Sequence, residues 1–223
     1  MDTDTALAAR LARDLEAAFP TLVEDHQDRL FTIALRLLGD SRDAEEVAQD
    51  ALVRAFRAIA GYSPDRTAAL RLRPWLAAIT VNLARNKRRR HDDRHPAVQL
   101  EPMLAEGFEP ADESGTEPAM LAAGREANAA MTATLGQLPS AIRVAIVLRH
   151  VDGLSVAETA EALGRPEGTI KAQVARGLER LRLLLAEADS AGSPPRRGAT
   201  AGSSAHTPPS NPGRAFAAAE VLS

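Results

Sequence analysis

Residues 154–185 of this chain read LSVAETAEALGRPEGTIKAQVARGLERLRLLL. Ser155 and Glu158 have the spacing of a capping box, in which each side chain satisfies a free backbone N–H at the start of a helix. Gly164 is suited to end that short helix, and a tight turn at 165–168 precedes a second, longer helix. The sequence therefore predicts a helix-turn-helix.

The second of these helices has an apolar face and a polar face. We predict that the apolar face contains Ile170, Val174, Leu178, Leu181 and Leu185. The polar face is predicted to carry Thr169, Lys171, Gln173, Arg176 and Arg180. A basic second helix after a tight turn is the geometry that enters the DNA major groove. The spacing also permits a plain helical hairpin with solvated charges.

The chain outside this region is also predicted to be helical. It shows no sustained period-two alternation of the kind that indicates β-strands, so we predict an all-α protein. One core helix is predicted over 22–38 and an amphipathic helix over 44–59. A third helix is predicted to begin at Pro74, with Trp75 packed in the core rather than stacked on a base.

Composition divides the chain into two folded parts. Residues 97–118 contain six acidic residues and no Lys or Arg, which indicates a flexible acidic linker over 96–128. Residues 189–223 are rich in Ala, Gly, Ser and Pro, as disordered tails are. We therefore predict two small helical domains, at 19–95 and 129–188, joined by the linker and followed by the tail.

Bulk composition limits the possible functions. The net charge of −3 gives no indication of a nucleic-acid partner, so only the distribution of charge is informative. The absence of cysteine excludes disulfides and thiolate zinc sites, and we expect no metal and no cofactor. The chain has no apolar stretch long enough for a bilayer and no signal-peptide pattern, so we expect a soluble cytoplasmic protein without membrane insertion.

Two charged surfaces are predicted in the N-terminal half. Asp43, Glu46 and Asp50 should lie together on the outer face of the second helix, because residues three and four apart align. A solvated helix face is the alternative interpretation. Segment 71–94 holds eight Lys and Arg against two Asp, a local charge of +6, so phosphate is its expected counterpart. An enzyme is disfavoured, since catalytic carboxylates need a shielded cleft.

Two sets of motifs resemble one known family. The motifs LSVAETA at 154–160 and GTIK at 168–171 resemble the −35-reading domain of the extracytoplasmic-function (ECF) sigma factors. The motifs LLGD at 37–40, DAEEVAQD at 43–50 and RPWL at 73–76 are similar to the family's other domain, which binds polymerase and the −10 element. Two motif sets in this order are far more specific than one helix-turn-helix.

The resemblance implies a non-enzymatic factor that binds bacterial core RNA polymerase, at the β′ clamp and the β flap. It further implies promoter recognition, DNA melting and transcription initiation, and control by an anti-sigma factor. The implied polymerase-binding residues are Asp43, Glu46, Gln49 and Asp50. The implied −10 contacts are Tyr62, Arg66, Asn82, Arg85, Asn86 and Arg89, with turn structure as the alternative role for the first two. The implied −35 contacts are Arg165, Thr169, Lys171, Gln173, Arg176 and Arg180. A helix-turn-helix repressor or activator that does not join polymerase is the alternative function.

Overall fold

The computed structural model describes residues 3–94 and 128–192, and the regular structure in these residues is entirely helical. The all-α prediction is therefore confirmed, while nearly all of the predicted linker and tail lies outside the described residues. The helices are α1 (Thr3–Arg13), α2 (Leu15–Leu38), α3 (Ser41–Ala60), α4 (Pro64–Ala68), α5 (Leu72–Arg94), α6 (128–136), α7 (Ser140–Ile146, continued by a π-helical turn at Val147–Val151), α8 (Val156–Leu163) and α9 (Glu167–Gly192).

Caps and glycines set the helix boundaries near the predicted positions. Gly39 follows α2 with φ = 85°, a conformation that glycine adopts without steric cost. The Asp40 side chain accepts a hydrogen bond from the Asp43 backbone N–H at 2.7 Å and so caps α3. At the start of α8, both bonds of the Ser155–Glu158 capping box are present. Local sequence therefore accounts for these boundaries.

A further helix, α1, precedes residue 19, the predicted start of the N-terminal domain. Helix α1 packs on α2 and α4, and its Leu7 and Leu11 are buried in the same core as Leu22. Asp14 separates α1 from α2 and caps α2 by accepting a hydrogen bond from the backbone of Ala17 at 3.1 Å. Because α1 is short and rich in alanine, its apolar stripe was a weak signal in the sequence.

Helix α5 begins at Leu72, two residues before the predicted start at Pro74. A proline fits there because the N–H groups of the first turn have no partner within the helix. Trp75 is half-buried and packs against the core, as predicted. Helix α9 continues to Gly192, past residue 189, the predicted start of the tail.

The two predicted domains pack against each other. Helices α1–α5 form the N-terminal domain and α6–α9 the C-terminal domain, and α5 contacts α8 while α2 contacts the π-helical turn. One apolar core extends from Leu30 and Leu37 of α2 to Leu148 and Leu154 of the C-terminal domain. The sequence predicted two separate cores, because apolar periodicity shows which face of a helix is buried but not which helix covers it.

The buried face of α9 contains four of the five predicted apolar residues, since Ile170 is buried and Val174, Leu178 and Leu181 are partly buried against the core. Leu185, predicted to point inward, is 54% exposed, whereas Leu184, Gly177 and Gln173 are buried. A Cβ at Gly177 would lie 2.7 Å from Cγ1 of Ile146, so α9 approaches α7 closely at this glycine. Gln173 lies one turn before Gly177 on α9. A glycine adds nothing to an apolar stripe, so the sequence pattern did not reveal this contact.

Candidate polymerase and promoter interfaces

The acidic surface predicted for polymerase binding lies on α3, opposite the helix face that packs in the core. Glu46, Gln49 and Asp50 are exposed and Asp43 is half-buried. Nζ of Lys87 in α5 lies 3.0 Å from Oδ1 of Asp43 and 2.5 Å from Oε2 of Glu46. The hydrogen bond and charge of Lys87 lower the pKa of the Glu46 carboxyl. Lys87, which belongs to the basic segment predicted to contact phosphate, therefore neutralises part of the acidic surface.

Tyr62 and Arg66, predicted to hold a base, lie stacked on each other between α3 and α5. The guanidinium carbon of Arg66 is 3.7 Å from the centroid of the Tyr62 ring, which is cation–π geometry. The Tyr62 ring is in turn 6.3 Å from the Trp75 ring. Ser63 caps α4, the short helix that contains Arg66, by accepting a hydrogen bond from the Arg66 backbone N–H at 3.3 Å. This packing fixes the orientation of the half-buried Tyr62 ring.

The polar face predicted to contact −10 DNA lies along α5. Asn82, Asn86 and Arg89 are exposed, whereas Arg85 is half-buried. Burial lowers the pKa of Arg85, and the nearby charge of Arg165 lowers it further. Arg165 belongs to the turn between α8 and α9 and was predicted to contact the −35 element. The structure therefore brings a −35 candidate next to a −10 candidate.

The basic face of α9 contains most of the predicted −35 contacts. Lys171, Arg176 and Arg180 are exposed and Thr169 is half-buried. Gln173 does not lie with them. It is 6% exposed, and its buried Oε1 has no hydrogen-bond partner among the described residues. The prediction that Gln173 faces the groove is therefore corrected.

Comparison with known proteins identifies both domains. Residues 22–94 match the family Sigma-70 region 2, and residues 129–181 match Sigma-70, region 4. The ECF RNA polymerase sigma factor SigE of Mycolicibacterium smegmatis is 32% identical over 192 residues, which are 85% of this chain and 71% of that protein. The ECF RNA polymerase sigma-E factor of Escherichia coli K12 is 31% identical over 179 residues, 79% of this chain and 91% of that protein.

This chain belongs to the ECF RNA polymerase sigma factors. Among solved structures, it is similar to CnrH in complex with the cytosolic domain of CnrY, with a TM-score of 0.62 and 28% identity over 86% of this chain and 100% of that one. The fold also matches the sigma factor RpoE of Bartonella quintana, with a TM-score of 0.56 and 23% identity over 75% of this chain and 96% of that one. Within residues 3–94 and 128–192 of this sigma factor, no helix is long and apolar enough to cross a membrane.

A buried ion pair joins the two domains of this sigma factor, and the sequence did not predict it. The guanidinium of Arg29 in α2 forms an ion pair with the Asp152 carboxylate, in which Nη2 donates a hydrogen bond to Oδ2 at 2.7 Å and Nε lies close to Oδ1. The Asp152 side chain is 0% exposed. Arg73 donates from Nη2 to the backbone carbonyl of the same residue at 2.7 Å. A charge-assisted hydrogen bond between a guanidinium and a carboxylate is among the stronger polar contacts in proteins, so this pair orients the C-terminal domain on α2 and α5.

Two further arginines of this sigma factor donate to backbone carbonyls at the domain junction. Arg143 of α7 is buried and donates to the carbonyls of Leu37 at 3.2 Å, Leu138 at 2.9 Å and Gly136. Burial lowers the pKa of its guanidinium to about 10. Arg36 of α2 donates to the carbonyl and side-chain oxygens of Asn128. A basic residue inside the apolar run 141–148 was the sequence signal that could have identified Arg143.

Proposed function

We propose that this sigma factor binds core RNA polymerase through the acidic face of α3, and places α5 on the −10 element and α9 on the −35 element of a promoter. The observation that carries this proposal is the division of charge among these helices. Each of the three buries one face in the core and presents to solvent the charge that its proposed partner requires. The factor thereby directs promoter recognition, DNA melting and transcription initiation.

The acidic face of α3 is the proposed contact with the β′ clamp. Glu46 and Asp50 are one turn apart and exposed, so a basic partner surface can approach both at once. Complementary charge of this kind determines the register of docking and accelerates association. Asp43, which is half-buried and paired with Lys87, contributes mainly to holding α3 against α5. The C-terminal domain is proposed to contact the β flap.

DNA is the proposed partner of the basic faces of α5 and α9. Asn82, Asn86 and Arg89 present hydrogen-bond donors at the −10 element, and the Tyr62–Arg66 stack offers a π-face to an unpaired base. In α9, Arg176 is the proposed reader of a −35 base. Thr169, Lys171, Arg180 and the turn residue Arg165 are proposed to contact phosphates.

The length of the linker is compatible with simultaneous binding of both promoter elements. The 33 residues from 96 to 128 reach ~110 Å when fully extended. Promoter elements two helical turns apart are separated by ~70 Å. The two domains of this sigma factor are in direct contact, so they must separate before they occupy both elements.

The proposal also covers how this sigma factor is regulated, where in the cell it acts, and whether it is an enzyme. Control by a partner protein of the anti-sigma type is proposed, because CnrH, 28% identical, was solved with the cytosolic domain of CnrY. The factor is assigned to the cytoplasm, where polymerase and promoter DNA are found. It is assigned no enzymatic activity, because the acids of α3 and most of the basic residues of α9 lie on open helix faces rather than in a water-excluded cleft.

A polymerase-binding and transcription experiment tests the proposal. Wild-type protein with core polymerase should start run-off transcripts from a pool of genomic fragments of the source organism. Glu46→Arg combined with Asp50→Arg should bind core polymerase at least tenfold more weakly in a pull-down, because two attractive charges become repulsive. Glu24→Arg with Asp28→Arg is the matched control, since these exposed acids have the same spacing on α2.

Circular dichroism must show unchanged helix content in both double variants. Undiminished polymerase binding by the Glu46/Asp50 variant would refute the role of the α3 acids. If the wild-type protein blocked transcription or left core polymerase inactive, the sigma function itself would be refuted.

A further inference from the structure

We propose that a crevice between α5 and α7 binds the terminal phosphate of a small phosphorylated ligand, held by Arg85, Arg88 and Arg143. Neither the proposed polymerase contact nor the proposed promoter contacts require such a ligand, so this inference goes beyond the proposed function. The first two arginines belong to α5 and the third belongs to α7. A ligand held by all three therefore contacts both domains at once.

The crevice lies where α2, α5 and α7 meet. Leu37, Ala84 and Val144 form its apolar walls, and its polar lining consists of Ser140 and the three arginines. The cavity has a volume of about 20 Å³, which holds one atom of the size of a water oxygen. At its mouth, Arg88 and Ser140 are exposed to solvent. One oxygen of an anion can therefore enter the cavity while the other oxygens remain at the mouth.

The positive charges of the crevice are not balanced by its own lining. Among the described residues that line it, three carry a guanidinium and none is acidic. Burial lowers the pKa of Arg143 to about 10, and the charge of Arg88 lowers it further. Burial also lowers the pKa of Arg85, and the charge of Arg165 adds to this effect. Because these cations lose hydration and repel one another, a bound anion would stabilise the charged form of each.

Arg143 has one hydrogen-bond donor without an acceptor. Its side chain is buried, and its Nη1 and Nη2 donate to the backbone carbonyls of Leu37 and Leu138. Its Nε is buried as well, but has no hydrogen-bond partner among the described residues. A buried N–H that lacks an acceptor costs free energy, and this one belongs to a side chain that lines the cavity. An anion oxygen in the cavity is the acceptor that Nε lacks.

The chemistry of the crevice favours a terminal phosphate over other anions. Guanidinium groups match the oxygens of a phosphate in paired hydrogen bonds. A phosphate monoester carries a charge of about −1.5 to −2 at pH 7, so it balances more of the lining than a carboxylate or a chloride ion does. A DNA phosphate carries a sugar on each side, and helices on three sides of the crevice leave no room for both. A phosphate monoester or a diphosphate is therefore the expected ligand.

Calorimetry with sodium pyrophosphate tests the binding, because this probe has terminal phosphates and no base. The full-length protein, without polymerase or DNA, should bind one pyrophosphate. At a pyrophosphate concentration of 100 times Kd, Tm should rise by about 5–10 °C. Sodium chloride at equal ionic strength should give neither saturable binding nor this rise. The absence of saturable pyrophosphate binding, or an equal response to chloride, overturns the inference.

A pair of single variants locates the binding site. Arg88→Gln removes a guanidinium from the mouth of the crevice, and Arg90→Gln is the matched control. Both arginines are exposed on α5, but the charge of Arg90 acts on Glu46 of α3. Arg88→Gln should weaken pyrophosphate binding by about fivefold or more, since it removes a charge-assisted hydrogen bond.

The control variant should keep the affinity of the wild type. Circular dichroism must show unchanged helix content in both variants. Equal weakening in Arg88→Gln and Arg90→Gln would indicate general attraction to a basic surface and would overturn the site.

A DNA-binding experiment distinguishes a terminal phosphate from the phosphates of a DNA backbone. The probe is a fluorescent 20-base-pair duplex, mixed with the same proteins at low salt. Each variant loses one positive charge, so Arg88→Gln and Arg90→Gln should lower the affinity for the duplex to the same extent. A loss of duplex binding confined to Arg88→Gln, and as large as its loss for pyrophosphate, would assign the crevice to the DNA backbone and refute the proposed ligand.

Discussion

Gly177→Ala is expected to destabilise the protein by displacing α9 from α7. The new Cβ would lie 2.7 Å from Cγ1 of Ile146 and 2.8 Å from Cγ2 of Ile142. Carbon atoms pack at about 3.5–4.0 Å, so the two helices must move apart by about 1 Å or change rotamers. Isoleucine in a helix has one strongly preferred χ1 rotamer, which leaves helix displacement as the main response.

Two opposing effects determine the size of the loss. Replacing glycine by alanine in a helix interior stabilises a protein by about 0.5–1 kcal/mol. Overpacking a tight interface costs about 1–3 kcal/mol. The packing cost is larger on average, so the free energy of unfolding should fall by about 1 kcal/mol, within limits of about 0–2.5 kcal/mol. For a folded part of this size, each kcal/mol corresponds to a Tm change of about 2–4 °C.

Thermal and urea unfolding followed by circular dichroism measure this change. Gly168→Ala in the first turn of α9 is the control, because no described atom lies within 4 Å of its added Cβ, and its stability should not decrease. Ile146→Ala should cost less in the Gly177→Ala background than in the wild type, because it removes the clashing atoms. If Gly177→Ala is as stable as the wild type or more so, the close approach of α9 to α7 is wrong.

Two other perturbations are directed at α9, the helix proposed to bind the −35 element, and at His26 of α2, which is buried in the N-terminal domain. Arg176→Ala should relax the preference at one −35 position by about 1–3 kcal/mol, whereas Lys171→Ala should weaken all sequences alike and flatten the salt dependence. Sequencing transcripts from a randomised −35 library distinguishes them, and an unchanged preference in both variants would mean that the reading face is misplaced. Burial lowers the pKa of His26 below its ordinary value of 6.5, so below that pH the unfolded chain binds more protons and stability falls. Between pH 7.5 and pH 5.5, the free energy of unfolding should therefore fall less for His26→Gln than for the wild type. An equal fall in both proteins would contradict a lowered pKa of His26.

Local patterns were sufficient to predict the helical fold and the main surfaces. The capping box at Ser155 and Glu158, and the glycine at 39, determine helix ends through contacts within a few residues, so they could be read directly. The acidic residues of α3 were placed correctly outside the core, because the apolar stripe of that helix is complete. The ordered pair of motif sets identified the family for the same reason: each motif is contiguous in sequence.

Contacts between distant residues were decided only by the tertiary structure. Arg29 and Asp152 are 123 residues apart, and nothing in either local pattern indicates that they form a pair. Lys87 was counted with the phosphate-binding residues, yet the packing of α3 on α5 brings it to two carboxylates. Gln173 is buried one turn before Gly177, the glycine at which α9 approaches α7 closely. Periodicity determines which residues share a helix face, but the shape and charge of the neighbouring helix determine whether that face is covered.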